Sequence, residues 1–198
     1  MGKKELKKRA IWQDASGGKA GVAENTFHDI LSKEFEGSDF RIRPKPRELK
    51  DIYTKIKLSK EVLEAIYNPD ETWTHGIIPD FAIDNTKTNK TLYVEVKRQD
   101  GWVEGKLRSA GRGNAHERSC KFFTPGLLKI LRGHGKLGDD ILPFWVVFQG
   151  DIARDPKRVR EIHCWYAEQN AHFFMWSKSA DAKSLINHFN NNLKHLLI

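Results

Sequence analysis

An almost unbroken apolar run, Leu142–Phe148, is the feature that most constrains the fold of this chain. A strand this apolar is covered on both faces, which is typical of a sheet with helices on either side. Apolar side chains recur every three or four positions in residues 19–36 and 182–193, which predicts amphipathic helices there. Arg160–Tyr166 and His172–Trp176 are weaker strand candidates. We therefore predict an α/β fold, a mixed central β-sheet flanked by helices.

Length and charge bound the class of protein. The chain has 198 residues, 39% of them hydrophobic and 30% charged, which fits one globular domain spanning residues 1–198. No run approaches the roughly 20 apolar residues of a membrane span, and the basic start has no apolar run behind it. We therefore expect a cytoplasmic protein without a membrane segment. The net charge of +8 favours nucleic acid as a partner, although a basic surface can also serve solubility alone.

Two strand candidates joined by a polar turn form the chemically most informative part of the sequence. Ile77–Ile83 and Leu92–Val96 have the composition of strands, and Asn85–Asn89 between them has the composition of a turn. So short a connection favours an antiparallel hairpin. Residues at the start of the first strand then lie beside residues at the end of the second.

Acidic and basic side chains are found at that end of the hairpin. Asp80 follows Pro79 in the first strand, and Glu95, Val96 and Lys97 end the second. Because side chains alternate along a strand, Glu95 and Lys97 project to one side and Val96 to the other. Two carboxylates and one ammonium group suit a hard divalent cation that shares its ligands with phosphate and water. The alternative is a surface hairpin with an ordinary Glu95–Lys97 charge pair.

A glycine-rich basic segment follows the hairpin. Gly113 allows close approach of the backbone to another surface, and Asn114 with Glu117 forms a helix-capping pair. Arg112, Asn114 and Arg118 then lie near a helix N-terminus. Asparagine can bond adenine in two places, and arginine can bond purine N7 and O6 atoms in the major groove. The alternative is a basic loop that contacts only phosphates.

Both regions resemble known nucleases. Pro79-Asp80 with Glu95-Val96-Lys97 resembles the PD-(D/E)xK superfamily, which includes restriction enzymes, repair nucleases and junction resolvases. Residues 113–119, Gly-Asn-Ala-His-Glu-Arg-Ser, resemble a motif shared by the EcoRI-type and MunI-type restriction endonucleases. The resemblance is closest to the MunI type and extends along most of the chain, including residues 79–83, 97–106, 111–121, 142–151 and 154–161.

The resemblance implies a restriction-endonuclease core with a defined catalytic set. Asp80, Glu95 and Lys97 would be the catalytic residues, and Asp80, Glu95 and the Val96 carbonyl would bind Mg²⁺, for which Mn²⁺ can substitute. Glu24 is an auxiliary candidate, because an acid on the corresponding helix approaches the metal in some relatives. The alternative for Glu24 is an ordinary solvated helix residue.

The same resemblance implies how DNA would be recognised. Asn114, Ala115 and Arg118 would contact the inner AATT of the site, with Gly113 bringing the backbone close to the DNA. Arg112 precedes the shared motif, where the EcoRI type has alanine. We predict that Arg112 binds the guanine of the outer base pair, since its two parallel donors match O6 and N7. Lys106 and Arg108 are the alternatives, but they lie further from Asn114 and are expected to contact phosphates.

The implied function is that of a type II restriction endonuclease acting as a homodimer on double-stranded DNA. For a MunI-type enzyme the palindrome would be CAATTG, cut after its first base to leave 5′ AATT overhangs with 5′-phosphate ends. A cognate DNA methyltransferase would protect the host DNA. Two alternatives stay open: a structure-specific nuclease of the same superfamily, such as a junction resolvase, and a DNA-binding protein without catalysis.

Overall fold

A five-stranded sheet forms the centre of the molecule. The computed structural model describes residues 3–66, 74–101, 103 and 116–198, with the backbone alone for residues 3–17 and 19. The strands are β1 (Phe40–Pro44), β2 (Phe81–Asn85), β3 (Lys90–Arg98), β4 (Phe144–Gln149) and β5 (Phe173–Trp176). They lie in chain order across the sheet. The first three are antiparallel neighbours, whereas β3–β4 and β4–β5 are parallel, so the sheet is mixed as predicted.

Helices cover both faces of this sheet. In the described ranges they are α1 (Lys3–Glu34), α2 (Lys60–Ala65), α3 (Pro125–Gly135), α4 (Pro156–Tyr166) and α5 (Ala182–Asn192). Four short 3-10 helices, at Glu117–Phe123, Asp151–Arg154, Asn170–His172 and Lys194–Leu197, complete this part of the chain. Buried side chains of α1 and α5 share one core cluster, and those of α3 and α4 share the other. No helix in the described ranges has the length and hydrophobicity that a membrane crossing needs.

Strand β4 confirms the prediction made from the apolar run. Trp145 and Val147 face the cluster formed with α1 and α5, while Phe144, Val146 and Phe148 face the cluster formed with α3 and α4. None of these five side chains is more than 1% exposed. Burying a side chain of this size stabilises a fold by roughly 1.5–3 kcal/mol. The apolar run therefore joins the two halves of the core.

The predicted hairpin is formed by β2 and β3. Asn85 Oδ1 accepts hydrogen bonds from the backbone N–H groups of Lys87 and Thr88, with N···O distances of 2.9 and 3.3 Å, which fixes the polar turn. The first strand is shorter than predicted. Ile77 lies outside it, and the Ile77 N–H donates instead to the Leu49 carbonyl at 3.0 Å.

The strand prediction for Arg160–Tyr166 is wrong, because this segment belongs to helix α4. The Asp155 side chain caps that helix by accepting a hydrogen bond from the Lys157 N–H at 3.1 Å. Ile162 and Tyr166, four residues apart, are at most 1% exposed. The segment thus buries one helical stripe against the sheet. The other weak candidate, His172–Trp176, is confirmed as β5 except for His172, which ends a 3-10 helix.

Candidate active site

Three residues from different parts of the sequence lie in one row at the end of the sheet. β2 pairs with β3 in the register Phe81↔Val94, so Asp80, one position before Phe81, lies opposite Glu95. On the other side of Asp80, β1 continues into Lys45. The Lys45 backbone N–H donates to the Asp80 carbonyl over an N···O distance of 2.9 Å. The sheet itself therefore brings Lys45, Asp80 and Glu95 together.

The two carboxylates of this row are buried and held by the backbone. Asp80 and Glu95 are each 8% exposed. Asp80 Oδ2 accepts a hydrogen bond from the Val96 N–H at 2.9 Å, and the Asp80 N–H donates to Glu95 Oε2 at 3.3 Å. The Val96 side chain packs in the core. Val96 therefore acts at the site through its backbone, and both carboxylates have fixed orientations.

Lys97 joins the carboxylate pair as the strand alternation predicts. Its Nζ lies 2.5 Å from Glu95 Oε1 and 3.7 Å from Asp80 Oδ2. Burial raises the pKa of Glu95, and the nearby charge of Asp80 raises it further, although the Lys97 ammonium acts in the opposite direction. Two buried carboxylates with one ammonium between them form a site that favours additional positive charge.

A second lysine completes the cluster, and sequence patterns gave it no role. Lys45 Nζ lies 2.6 Å from Asp80 Oδ1 and 2.9 Å from Glu24 Oε2. Burial favours the neutral amine, but the hydrogen bonds to Asp80 and Glu24 outweigh it and raise the pKa of Lys45. Glu24, on α1, is thus tied to the carboxylate pair through Lys45 rather than fully solvated. The sequence does offer one indication of this role: Lys45 lies between Pro44 and Pro46, whose fixed backbone geometry is typical of an anchored turn.

The chemistry of this donor set fits a divalent cation. By formal charge, the set contains three acidic side chains (Glu24, Asp80 and Glu95) and two basic ones (Lys45 and Lys97), an excess of one carboxylate. Carboxylate and carbonyl oxygens are the ligands that Mg²⁺ prefers, alongside water and substrate phosphate. Among the described residues, no three side chains of His, Cys, Asp or Glu already form a complete metal site. Oxygen atoms from water and phosphate would therefore complete the coordination.

The predicted DNA-reading residues are only partly within the described ranges. Arg112, Gly113, Asn114 and Ala115 lie outside them, so their contacts with DNA stay predictions. Arg118 is exposed on the 3-10 helix Glu117–Phe123. A helix thus begins at Glu117, close to the predicted position, although it is of the 3-10 type.

One residue within the predicted reading motif, His116, is anchored inside the protein. His116 is fully buried, and its ring stacks on Trp165 with centroids 5.3 Å apart and planes 12° apart. His116 Nε2 lies 3.2 Å from Glu161 Oε2, which also accepts a hydrogen bond from Arg158 at 2.6 Å. Burial, together with the positive charge of Arg158, lowers the pKa of His116, so the imidazole is neutral near pH 7. Helix α4 therefore fixes the chain at His116, between Ala115 and Arg118 of the reading motif.

Comparison with known proteins connects this geometry to a family. The family profile described as type II restriction enzyme MunI matches residues 1–198. The type II restriction enzyme MunI from Mycoplasma sp is 52% identical over 201 residues, covering 100% of both chains. This chain belongs to the MunI family of type II restriction enzymes. A crystal structure of the MunI restriction endonuclease in complex with cognate DNA is 50% identical, with a TM-score of 0.80 over 94% of this chain and 97% of that one.

Membership of the MunI family confirms the predicted fold and the predicted class of enzyme. The match covers the β2–β3 hairpin and the glycine-rich segment alike, because it extends over the whole chain. An identity this high over full length places the chain among site-specific endonucleases that act on DNA. This decides against a junction resolvase and against a DNA-binding protein of another family.

Proposed function

We propose that this chain is a homodimeric, Mg²⁺-dependent restriction endonuclease that cleaves both strands of CAATTG after the first base. The convergence of Asp80, Glu95 and Lys97 at one end of the β2–β3 hairpin is the observation that carries the proposal. The MunI endonuclease that this chain resembles has a structure in complex with its cognate DNA. Cleavage would leave 5′ AATT overhangs with 5′-phosphate ends.

Each member of the site has a chemical role in this proposal. Asp80, Glu95 and the Val96 carbonyl offer oxygen ligands to Mg²⁺, or to Mn²⁺ in its place. When bound there, the ion polarises the scissile phosphate and lowers the pKa of its water. Lys97 orients the attacking water or offsets the charge that develops on the phosphoryl oxygens. Glu24 adds an auxiliary carboxylate at the rim of the site, linked to Asp80 through Lys45.

Recognition of the site is assigned to the glycine-rich segment. Asn114, Ala115 and Arg118 contact the inner AATT, and Gly113 allows the backbone to approach the bases. Arg112 binds the guanine of the outer pair through its two parallel donors. The stacking of His116 on Trp165 supports this assignment, because it fixes the chain within the reading motif, two residues before Arg118.

Symmetry and cellular context complete the proposal. A palindrome presents two identical half-sites, which an isologous homodimer matches with one active site for each strand. The chain acts as a single domain, residues 1–198, in the cytoplasm, where its double-stranded DNA substrate is found. A cognate DNA methyltransferase would protect the host, since an unmodified genome carrying the same site would be cut.

Digestion of linear DNA with Mg²⁺, followed by sequencing of the fragment ends, tests this function. Discrete fragments with 5′ AATT ends are expected from the wild type. Glu95→Ala should lose cleavage and keep DNA binding in a gel-shift assay, because it removes a metal ligand but no basic contact. Glu36→Ala, which removes an exposed acid after α1, is the matched control and should cut normally. Uncut DNA, or fragment ends other than 5′ AATT, would contradict the proposal.

A further inference from the structure

Lys45 occupies the central position between two carboxylates of the candidate metal site. Its Nζ lies 2.6 Å from Asp80 Oδ1 and 2.9 Å from Glu24 Oε2, so one ammonium group bridges two acids from different elements. Asp80 Oδ2 is already used by the Val96 N–H. Lys45 therefore takes the remaining oxygen of Asp80, the one directed away from the Val96 backbone.

The backbone holds Lys45 in this place. Its φ of +46° lies in the left-handed region, where a non-glycine residue is strained and persists only if its surroundings fix it. The Lys45 N–H donates to the Asp80 carbonyl at 2.9 Å. Two residues before Lys45, Arg43 is bound to Asp84 at 2.6 Å and to Glu48 at 2.9 Å, which secures the end of β1. The backbone conformation imposed by the fold therefore places the Lys45 ammonium between Asp80 and Glu24.

A cation and the Lys45 ammonium would compete for the same oxygen. A metal ion ligated by Asp80 Oδ1 needs direct contact with that oxygen, at roughly 2.0–2.1 Å for Mg²⁺. An ammonium group at hydrogen-bond distance from the same oxygen, and from Glu24 behind it, fills the space on that side. The Lys45 side chain is 52% exposed, so it can leave without disturbing the core.

We propose that Lys45 is an internal competitor of the metal: it occupies the cation position in the DNA-free enzyme and must be displaced before a divalent ion binds. The inference rests on the proposed function, because it assumes that Asp80 and Glu95 are the metal ligands. Lys45 then sets how weakly the free enzyme holds metal. This differs from the role of Lys97, which lies beside Glu95 on the other side of the carboxylate pair.

Mn²⁺ binding to the DNA-free full-length protein tests the inference. The fraction of free Mn²⁺ is followed by electron paramagnetic resonance, a measurement that is independent of cleavage. Lys45→Met removes the ammonium and keeps the volume of the side chain. Lys45→Gly removes the ammonium and also relieves the strain of the left-handed backbone. It therefore serves as the folded test protein if Lys45→Met is destabilised. Both variants should bind Mn²⁺ about tenfold more tightly than the wild type, as the loss of two partly exposed ion pairs implies.

Two further variants separate the possible results. Lys87→Met removes an exposed lysine paired with Asp39 at the opposite end of the β2–β3 hairpin, and its Mn²⁺ affinity should equal that of the wild type. Glu95→Ala should lose Mn²⁺ binding. If Glu95→Ala loses binding and both Lys45 variants bind no more tightly than the wild type, the role of Lys45 is refuted and the metal site stands. If Glu95→Ala binds as the wild type does, the metal site itself is wrong, and the inference falls with it.

Discussion

Acid should destabilise this protein well above the pH at which its carboxylates are protonated, because His172 is buried as a neutral base. His172 is 3% exposed, and its Nδ1–H donates to the Phe144 carbonyl at an N···O distance of 2.9 Å. Burial, together with the charges of His188 and His195, lowers the pKa of His172 to about 4, although the hydrogen bond to Phe144 opposes the shift. Protonation therefore favours the unfolded chain.

The size of the effect follows from the two pKa values of His172. The unfolded value is 6.5 and the folded value is about 4, so the unfolded state takes up the proton first as the pH falls. The stabilisation is complete above pH 6.5 and is lost progressively between pH 6.5 and about pH 4. The full loss is about 3 kcal/mol, of which about 2 kcal/mol is already lost near pH 5. That is a large fraction of the stability of an ordinary domain.

Urea unfolding of the DNA-free protein, measured at about pH 7.5 and about pH 5, tests this reasoning. His172→Asn keeps a side-chain N–H donor near the Phe144 carbonyl but does not titrate in this range. The free energy of unfolding of this variant should fall by about 2 kcal/mol less than that of the wild type. His134→Asn, which replaces an exposed histidine of α3, should behave as the wild type does. Equal losses in His172→Asn and the wild type would refute the assignment.

Three further predictions concern catalysis, recognition and packing. Lys97→Ala should lower the cleavage rate by about a hundredfold or more while gel-shift affinity changes little, since the transition state loses its compensating charge. Arg112→Ala should lose roughly 1–3 kcal/mol of discrimination at the outer base pair, and unchanged preference in competition binding to the four outer-pair variants would exclude Arg112 as the reader. Gly135→Ala should destabilise the fold by about 2 kcal/mol or more in urea unfolding, because its Cβ would lie 2.4 Å from the Thr91 carbonyl oxygen. Gly133→Ala, on the same helix with nothing within 4 Å, is the control and should be neutral or stabilising.

Local patterns predicted the elements that carry their own signal. The β2–β3 hairpin follows from the polar turn between two apolar segments, and the Asn85 side chain bonds the turn as that pattern suggests. Strand alternation placed Glu95 and Lys97 on one face, and Lys97 Nζ lies 2.5 Å from Glu95 Oε1. Strand β4 was predicted from its unbroken apolar run and helix α5 from its 3.6-residue period, and both features are properties of the sequence itself.

Other elements depend on which surface they meet. Arg160–Tyr166 contains β-branched and aromatic side chains, which favour a strand. Only packing against the sheet shows that Ile162 and Tyr166 lie on one buried helical stripe. Strand β1 was not predicted, because Pro44 at its end disfavours a strand unless the strand is at an edge. β1 is that edge strand in the five-stranded order, so the missing N–H of Pro44 is tolerated.

The sequence by itself determined the fold class, the family and the three central residues of the candidate site. The family resemblance named Glu24 as an auxiliary candidate, but only the tertiary structure added Lys45 and its link between Glu24 and Asp80. Lys45 is 35 residues from Asp80 and 21 from Glu24, and no periodicity connects positions on a helix, an edge strand and a hairpin. Their meeting depends on the register of β1 against β2 and on how α1 packs across the sheet. Both are decided by which arrangement buries Phe27, Leu31 and Phe81 together, a property of the whole core and not of any one segment.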